Sequence, residues 1–334
     1  MAEATNIRLT SGEIGYLWLQ YMNNDVVGCI LKFTGSSVKD SEIAATIQQG
    51  LNIVHNHNQQ IEKLFTTDGL PVPAGYKEVN TAAQQLFSEA FSLFYLRKLC
   101  RVSLQAYGTA YSMAARKDVR EFYSTTLNDY VALNEKAVSV LLSNGLFVTS
   151  PLITISRSPQ FASSHTFVGR FLGKDQRPLT AIEIGHLYTS IQNIQVAQTM
   201  AIAFSQVARL LELRKHFNRG KDLCEKHIDV LTSLLRDNDL PAPMHWDSDI
   251  TDSTTPPFSD SLMIFHVQML CSAALANYGA ALSTSLRSDL TSCYTRLGAE
   301  VMEYMEDGLQ IMLSHGWVEE PPQSLDRDAL ALNR

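Results

Sequence analysis

The chain has 334 residues, 45% of them hydrophobic and 18% charged, enough for two domains of about 150 residues that each bury a core without staples. With 27 basic against 34 acidic residues the net charge is -7, and no block of five or more Lys/Arg follows a phosphate backbone, so nucleic acid is excluded as a partner. Five scattered cysteines without a C-x-x-C pair point to reduced thiols, and the first residues lack the basic and apolar regions of a leader. No apolar run reaches the roughly 18 residues of a membrane span, and the expectation is a cytoplasmic protein.

In chain order, the first signal is LTSGEIGYLW at 9–18, which returns as LTAIEIGHLY at 179–188. Asp68-Gly69-Leu70-Pro71-Val72-Pro73 is answered by Asn238-Asp239-Leu240-Pro241-Ala242-Pro243, with Tyr76 falling on Trp246. After one inserted residue, Phe87-Ser88-Glu89 matches Phe258-Ser259-Asp260, Tyr107-Gly108 matches Tyr278-Gly279, and Gly145 and Pro151 match Gly316 and Pro322. The chain is therefore an internal duplication. Residues 1–151 hold the first copy, 152–178 a linker rich in Ser and Thr with Pro159, Gly169 and Gly173, 179–322 the second copy, and 323–334 a polar tail.

Each copy reads as four helices, because apolar residues recur at spacings of three and four: Ile184, Leu187, Ile191, Ile194, Ala197, Ala201 and Phe204 make one stripe. In the first copy the helices fall at roughly 11–36, 39–67, 88–115 and 119–144. Thr10 with Glu13, and Thr180 with Glu183, have capping-box spacing, and Leu9 with Ile14, like Leu179 with Ile184, can staple across the cap. Ser88 or Ser259 caps the third helix and Asp118 or Asp289 the fourth. Gly145 or Gly316 closes the fourth in a left-handed turn, followed by an apolar contact from Leu146 or Trp317. Short connections make helices one and two, and three and four, antiparallel hairpins; the roughly 20 residues between two and three suffice for a crossover along the bundle. The fold class expected is all-α, two tandem ferritin-like four-helix bundles.

A crossover bundle raises the question of a di-iron site, which needs a Glu from each of two helices and two Glu-x-x-His pairs. Only Glu183-x-x-His186 has that spacing, and its counterpart is Glu13-x-x-Tyr16, so both glutamates are read as caps. Midway along the bundle, Asn23, His57, Gln105 and Asp129 fall at one level, as do Asn193, His227, Asn277 and Glu300. His57 with Asp129 and His227 with Glu300 are the candidate metal ligands, for Fe, Mn or Zn. Against this stands a buried polar layer in which histidine bonds carboxylate and fixes register, the favoured reading. His216 and His266 have no histidine counterparts and are expected at the surface, while Met302, Met305, Met312, Phe91 and Phe94 are expected in the core. No nucleophile elbow or phosphate loop occurs, and nothing specifies an enzyme.

The run LPAPMHWDSDITDSTTPPFSD at 240–260, with YTRLGAEVMEYMEDG at 294–308 and GWVEEPPQ at 316–323, resembles a tandem-bundle family of unknown function from spore-forming Gram-positive bacteria. The resemblance implies a ferritin-like fold and a loose kinship with spore coat protein F, and no assigned reaction. It favours a non-enzymatic structural or interaction protein, spore-associated, with coat-type proteins or further copies of itself as partners. Alternatives are a carboxylate-histidine metalloprotein with redox or oxygen chemistry, and a binder of an apolar ligand in a bundle core.

Overall fold

In the computed structural model, which describes residues 8–159, 161–162, 167, 176–243, 249–327 and 331, eight helices follow one another. They are α1 (Ser11–Gly35), α2 (Ser41–Thr67), α3 (Glu89–Met113), α4 (Lys117–Ser143), α5 (Ala181–Val207), α6 (Leu211–Arg236), α7 (Asp260–Thr284) and α8 (Ser288–Ser314). Trp246, Gly169 and Gly173 lie outside the described residues.

Both capping boxes form: Glu13 N donates to Thr10 Oγ1 while Thr10 N donates to Glu13 Oε2, and the same exchange joins Glu183 and Thr180. Ser88 and Ser259 accept from Phe91 N and Leu262 N, as their spacing predicts. Gly145 and Gly316 adopt φ of 67° and 68°, and Leu146 N and Trp317 N reach back to the carbonyls of Leu141 and Met312, closing α4 and α8. Asp118 and Asp289 do not cap α4 and α8. Those helices begin two residues earlier, after Arg116 and Arg287, and the aspartates take the guanidinium groups of these arginines at 2.8 and 2.7 Å.

In each bundle the hairpins stack so that α1 lies against α2 and α3, and α4 against α2 and α3, with the same ring of α5, α6, α8 and α7. Asp68, just past α2, accepts from Leu9 N and from Arg116 Nη1, so α2 ends where α1 and α4 begin. At the other end Glu89 accepts from Lys39 N and Asp40 N, placing the start of α3 beside the start of α2. Helices α2 and α3 thus run the same way, and residues 68–88 travel the bundle's length between them, the crossover expected from their number.

The two bundles are joined by those crossovers through reciprocal contacts. Val79 bridges Phe258 and Phe87 bridges Ile250; since Val79 corresponds to Ile250 and Phe87 to Phe258, the two bridges are one contact made twice. Likewise Asn80 N donates to the Pro257 carbonyl at 2.8 Å and Thr251 N to that of Leu86 at 3.1 Å. The join has the isologous form of a two-fold dimer, inside one chain. At its pseudo-dyad the corresponding residues Tyr95 of α3 and His266 of α7 meet, 2.8 Å apart and both buried. His266 is therefore not on the surface. Burial pushes its imidazole down to about 3, so it is neutral and shares one hydrogen bond with the Tyr95 hydroxyl. The same join explains why α5 buries residues on its whole circumference, including Gln192, Gln195 and Gln198: one side faces its own bundle and the other the first. Helix α7 is long and apolar enough to cross a membrane by length and composition, at odds with the reading that no run is, but it is built into this packing, with His266 and Asn277 buried.

Candidate functional site

His57 projects from α2 in a stripe of Ile53, Val54 and Ile61, and only 1% of it is exposed. Its Nε2 lies 2.9 Å from Oδ2 of Asp129 on α4, whose side chain reaches solvent. Phe122 meets the ring edge-on at 5.8 Å and Tyr130 is tilted at 5.9 Å. Burial lowers the imidazole's proton affinity, and Asp129 opposes that only in part. The ring is thus neutral at pH 7 with Nε2–H donating to the carboxylate. Its buried Nδ1 has no partner among the described residues.

The second bundle repeats the arrangement with variations. His227 on α6, equally buried, has Nε2 2.9 Å from Oε2 of Glu300 on α8, while its Nδ1 lies 3.1 Å from the hydroxyl of Tyr278 on α7. Lys226 Nζ donates to the other oxygen of Glu300 at 2.8 Å. Burial opposes the Glu300 charge, but Lys226 and His227 outweigh it and hold the carboxyl below its usual range. The His227 imidazole is lowered by burial, as in the first copy.

The histidines and carboxylates are thus brought together, but the amides read at the same level are not. Gln105 is exposed, Asn23 leaves a buried Oδ1 unpartnered, and Asn277 donates to Ser190 Oγ at 2.7 Å. Position along an ideal helix fixes height but not which face a residue presents. What surrounds the imidazoles is aromatic, from Phe122 and Tyr130 in one copy and Tyr278 in the other. His186 is partly buried and away from these pairs, and His216 stacks on Tyr304 at 4.2 Å inside the second bundle rather than at the surface. Met302 is exposed, whereas Phe91, Phe94 and Met312 are core residues.

Sequence reasoning found the capping role of Glu13 and Glu183 but missed their reach. Glu13 Oε1 accepts from Ala115 N and Arg116 N at 2.9 and 2.8 Å, and Glu183 Oε1 from Leu286 N and Arg287 N at 3.0 and 3.2 Å, so each carboxylate also ties its helix to the far hairpin turn. Glu89 and Asp260 do the same at the opposite ends, for Lys39 with Asp40 and for Arg209 with Leu210. These contacts span between 49 and 104 residues, and only their recurrence in both copies hints at them.

A metal at either histidine would need a deprotonated ring nitrogen and at least one further donor beyond the carboxylate. Among the described residues no three His, Cys, Asp or Glu side chains gather around one point, and Glu300 is already shared with Lys226. The residues present therefore fit a metal poorly. All five cysteines are free thiols.

The model of a family described as a protein of unknown function, DUF3231, matches the chain twice, at residues 2–158 and 169–330. No functionally curated protein matches it. Among solved structures, the chain is similar to that of a candidate spore coat protein from Bacillus halodurans, at 18% identity and a TM-score of 0.41, over 46% of this chain and 100% of that one.

Proposed function

We propose that this chain, which belongs to the DUF3231 family of proteins of unknown function, is a non-catalytic structural or interaction protein. The observation that supports this best is the use of its strongest candidate ligands as helix-to-helix ties. His57 with Asp129 joins α2 to α4, and His227 with Glu300 joins α6 to α8, each through a buried Nε2 bonded to a carboxylate oxygen. Satisfied buried polar pairs of this kind fix helix register. The reciprocal crossovers then tie the two bundles together through backbone contacts made twice.

The setting we propose is the sporulating cell, with coat-type proteins as partners, on the strength of the motif resemblance in the second copy. Deleting the gene should change spore coat assembly or resistance; spores unaltered in both would refute the setting. The non-catalytic reading is tested by elemental analysis of protein purified without chelator or affinity tag. The expected Fe, Mn and Zn content is under roughly a tenth of an equivalent, because a competent site retains its ion. About one equivalent per bundle, lost on His227→Leu and His57→Leu, would overturn it in favour of a metalloprotein.

A further inference from the structure

One side chain of the first bundle has its whole polar end buried and unpaired. Gln20 of α1 is 1% exposed, and among the described residues neither its Oε1 nor its Nε2 has a hydrogen bond. The buried Oδ1 of Asn23, three residues on and on the same helix face, is unpartnered too. Burying an amide without replacement bonds is costly, so each such atom in a folded core calls for a partner. Gln20 and Asn23 both line a cavity of about 70 Å3 between α1 and α3, which opens to about 470 Å3 of space between atoms once its mouth is counted.

The second copy shows the same positions satisfied from within. Ser190 and Asn277 stand where the first copy has Gln20 and Ala106; Asn277 Nδ2 donates to Ser190 Oγ at 2.7 Å, and both side chains are buried. Ala106 lines the first cavity from α3 and has no polar side chain to offer Gln20. The second bundle keeps a cavity of about 50 Å3 at the matching place, but among the described residues no side-chain nitrogen or oxygen of its wall is buried without a partner. The copies therefore differ in unpaired hydrogen-bonding groups rather than in volume.

We infer that the first bundle binds a small neutral molecule between α1 and α3, of the chemical class of a primary carboxamide on an apolar body. No charged side chain lines the cavity, and an ion buried there without a counter-charge is strongly disfavoured. The unpaired set is one donor group, Gln20 Nε2, and two acceptors, Gln20 Oε1 and Asn23 Oδ1. A primary carboxamide is its complement, with one carbonyl to accept and two N–H groups to donate. A carboxylate has no donor for the two oxygens, and an ammonium has no acceptor for the nitrogen. Leu19, Val27, Leu99 and Val102, with Met269 from the second bundle, give the apolar body its wall.

The test titrates isobutyramide into the full chain by NMR and by thermal shift. Two controls keep its shape: 3-methylbutan-2-one, in which a methyl replaces the NH2, and isobutyrate, in which an oxygen does. Wild type should bind one isobutyramide per chain with a Kd in the millimolar range, as befits so small a ligand. The ketone and the carboxylate should bind at least about tenfold more weakly, because each leaves two buried acceptors unpaired. Gln20→Met keeps the length of the side chain and removes its amide, so it should bring isobutyramide down to the level of the ketone while melting cooperatively without ligand. Gln20→Ser with Ala106→Asn, which rebuilds the pair of the second copy, serves the same purpose should Gln20→Met not fold. No isobutyramide binding to wild type at about 50 mM, or undiminished binding by the variant that folds, overturns the site. Binding of the ketone or of isobutyrate as tight as that of isobutyramide overturns the carboxamide.

Discussion

Glu183→Gln should be the most damaging single-atom-scale change in the second bundle. The carboxylate is almost wholly buried and takes five donors: Thr180 N, Leu286 N, Arg287 N and both terminal nitrogens of Arg177 at 2.8 and 2.9 Å. Burial works against its charge, yet the Arg177 and Thr180 bonds prevail and bring the carboxyl from 4.5 to about 2. At about 1.4 kcal/mol per pH unit that difference is worth about 3 kcal/mol, reduced to about 2 by solvent screening at the Arg177 edge. A glutamine keeps one acceptor oxygen and turns an NH2 towards donors, so a loss of about 2–3 kcal/mol is expected at pH 7. Because the folded value is depressed, the contribution is complete above about pH 4.5 and is lost as pH falls towards 2. Urea unfolding at a series of pH values should show wild type and variant far apart at neutrality and converging across that window. Glu13→Gln is the internal control: it has the backbone donors without a guanidinium, and about 1 kcal/mol should suffice. A Glu183→Gln variant within about 0.5 kcal/mol of wild type at pH 7 would refute this account of the turn.

Gly75 has φ of 64°, and a Cβ there would lie 1.8 Å from Oδ2 of Asp25, which accepts from Tyr76 N and Asn58 Nδ2. Gly75→Ala should cost about 2–3 kcal/mol in denaturant unfolding, through the left-handed backbone and the displaced carboxylate. Because the join between bundles is isologous, residues 1–158 expressed alone should form a homodimer in which Asn80 N finds the partner's Leu86 carbonyl and Tyr95 meets its own copy. Light scattering showing a stable monomer would count against that.

The helices, caps and crossover were legible because they depend on residues within a few positions of each other: Thr10 with Glu13, Leu141 with Gly145, the length of 68–88. The His57–Asp129 pair was legible for another reason, since a duplicated chain reports twice on each of its needs. What escaped is non-local. Asp118 resembles a cap because a carboxylate before a helix usually is one, but α4 starts at Lys117, so Asp118 lies inside its first turn, where it takes the Arg116 guanidinium and Val119 N, while Glu13, about a hundred residues earlier, holds Ala115 N and Arg116 N just ahead of the helix. The lack of a histidine at the matching place in the first copy points His266 to the surface; in fact its counterpart, Tyr95, is the residue it touches. No periodicity within one copy reveals a contact between copies.

Where the two copies agree and where they differ therefore carry different information. The capping carboxylates and the His–carboxylate pairs recur because each bundle needs them to stand, and they would be present whatever the protein did. The differences at Leu31 and Ala201 and at Tyr130 and Val301 concern how each core is filled, where a loss of volume on one helix can be met by a gain on its neighbour, as Tyr304 stands where the first copy has Leu133.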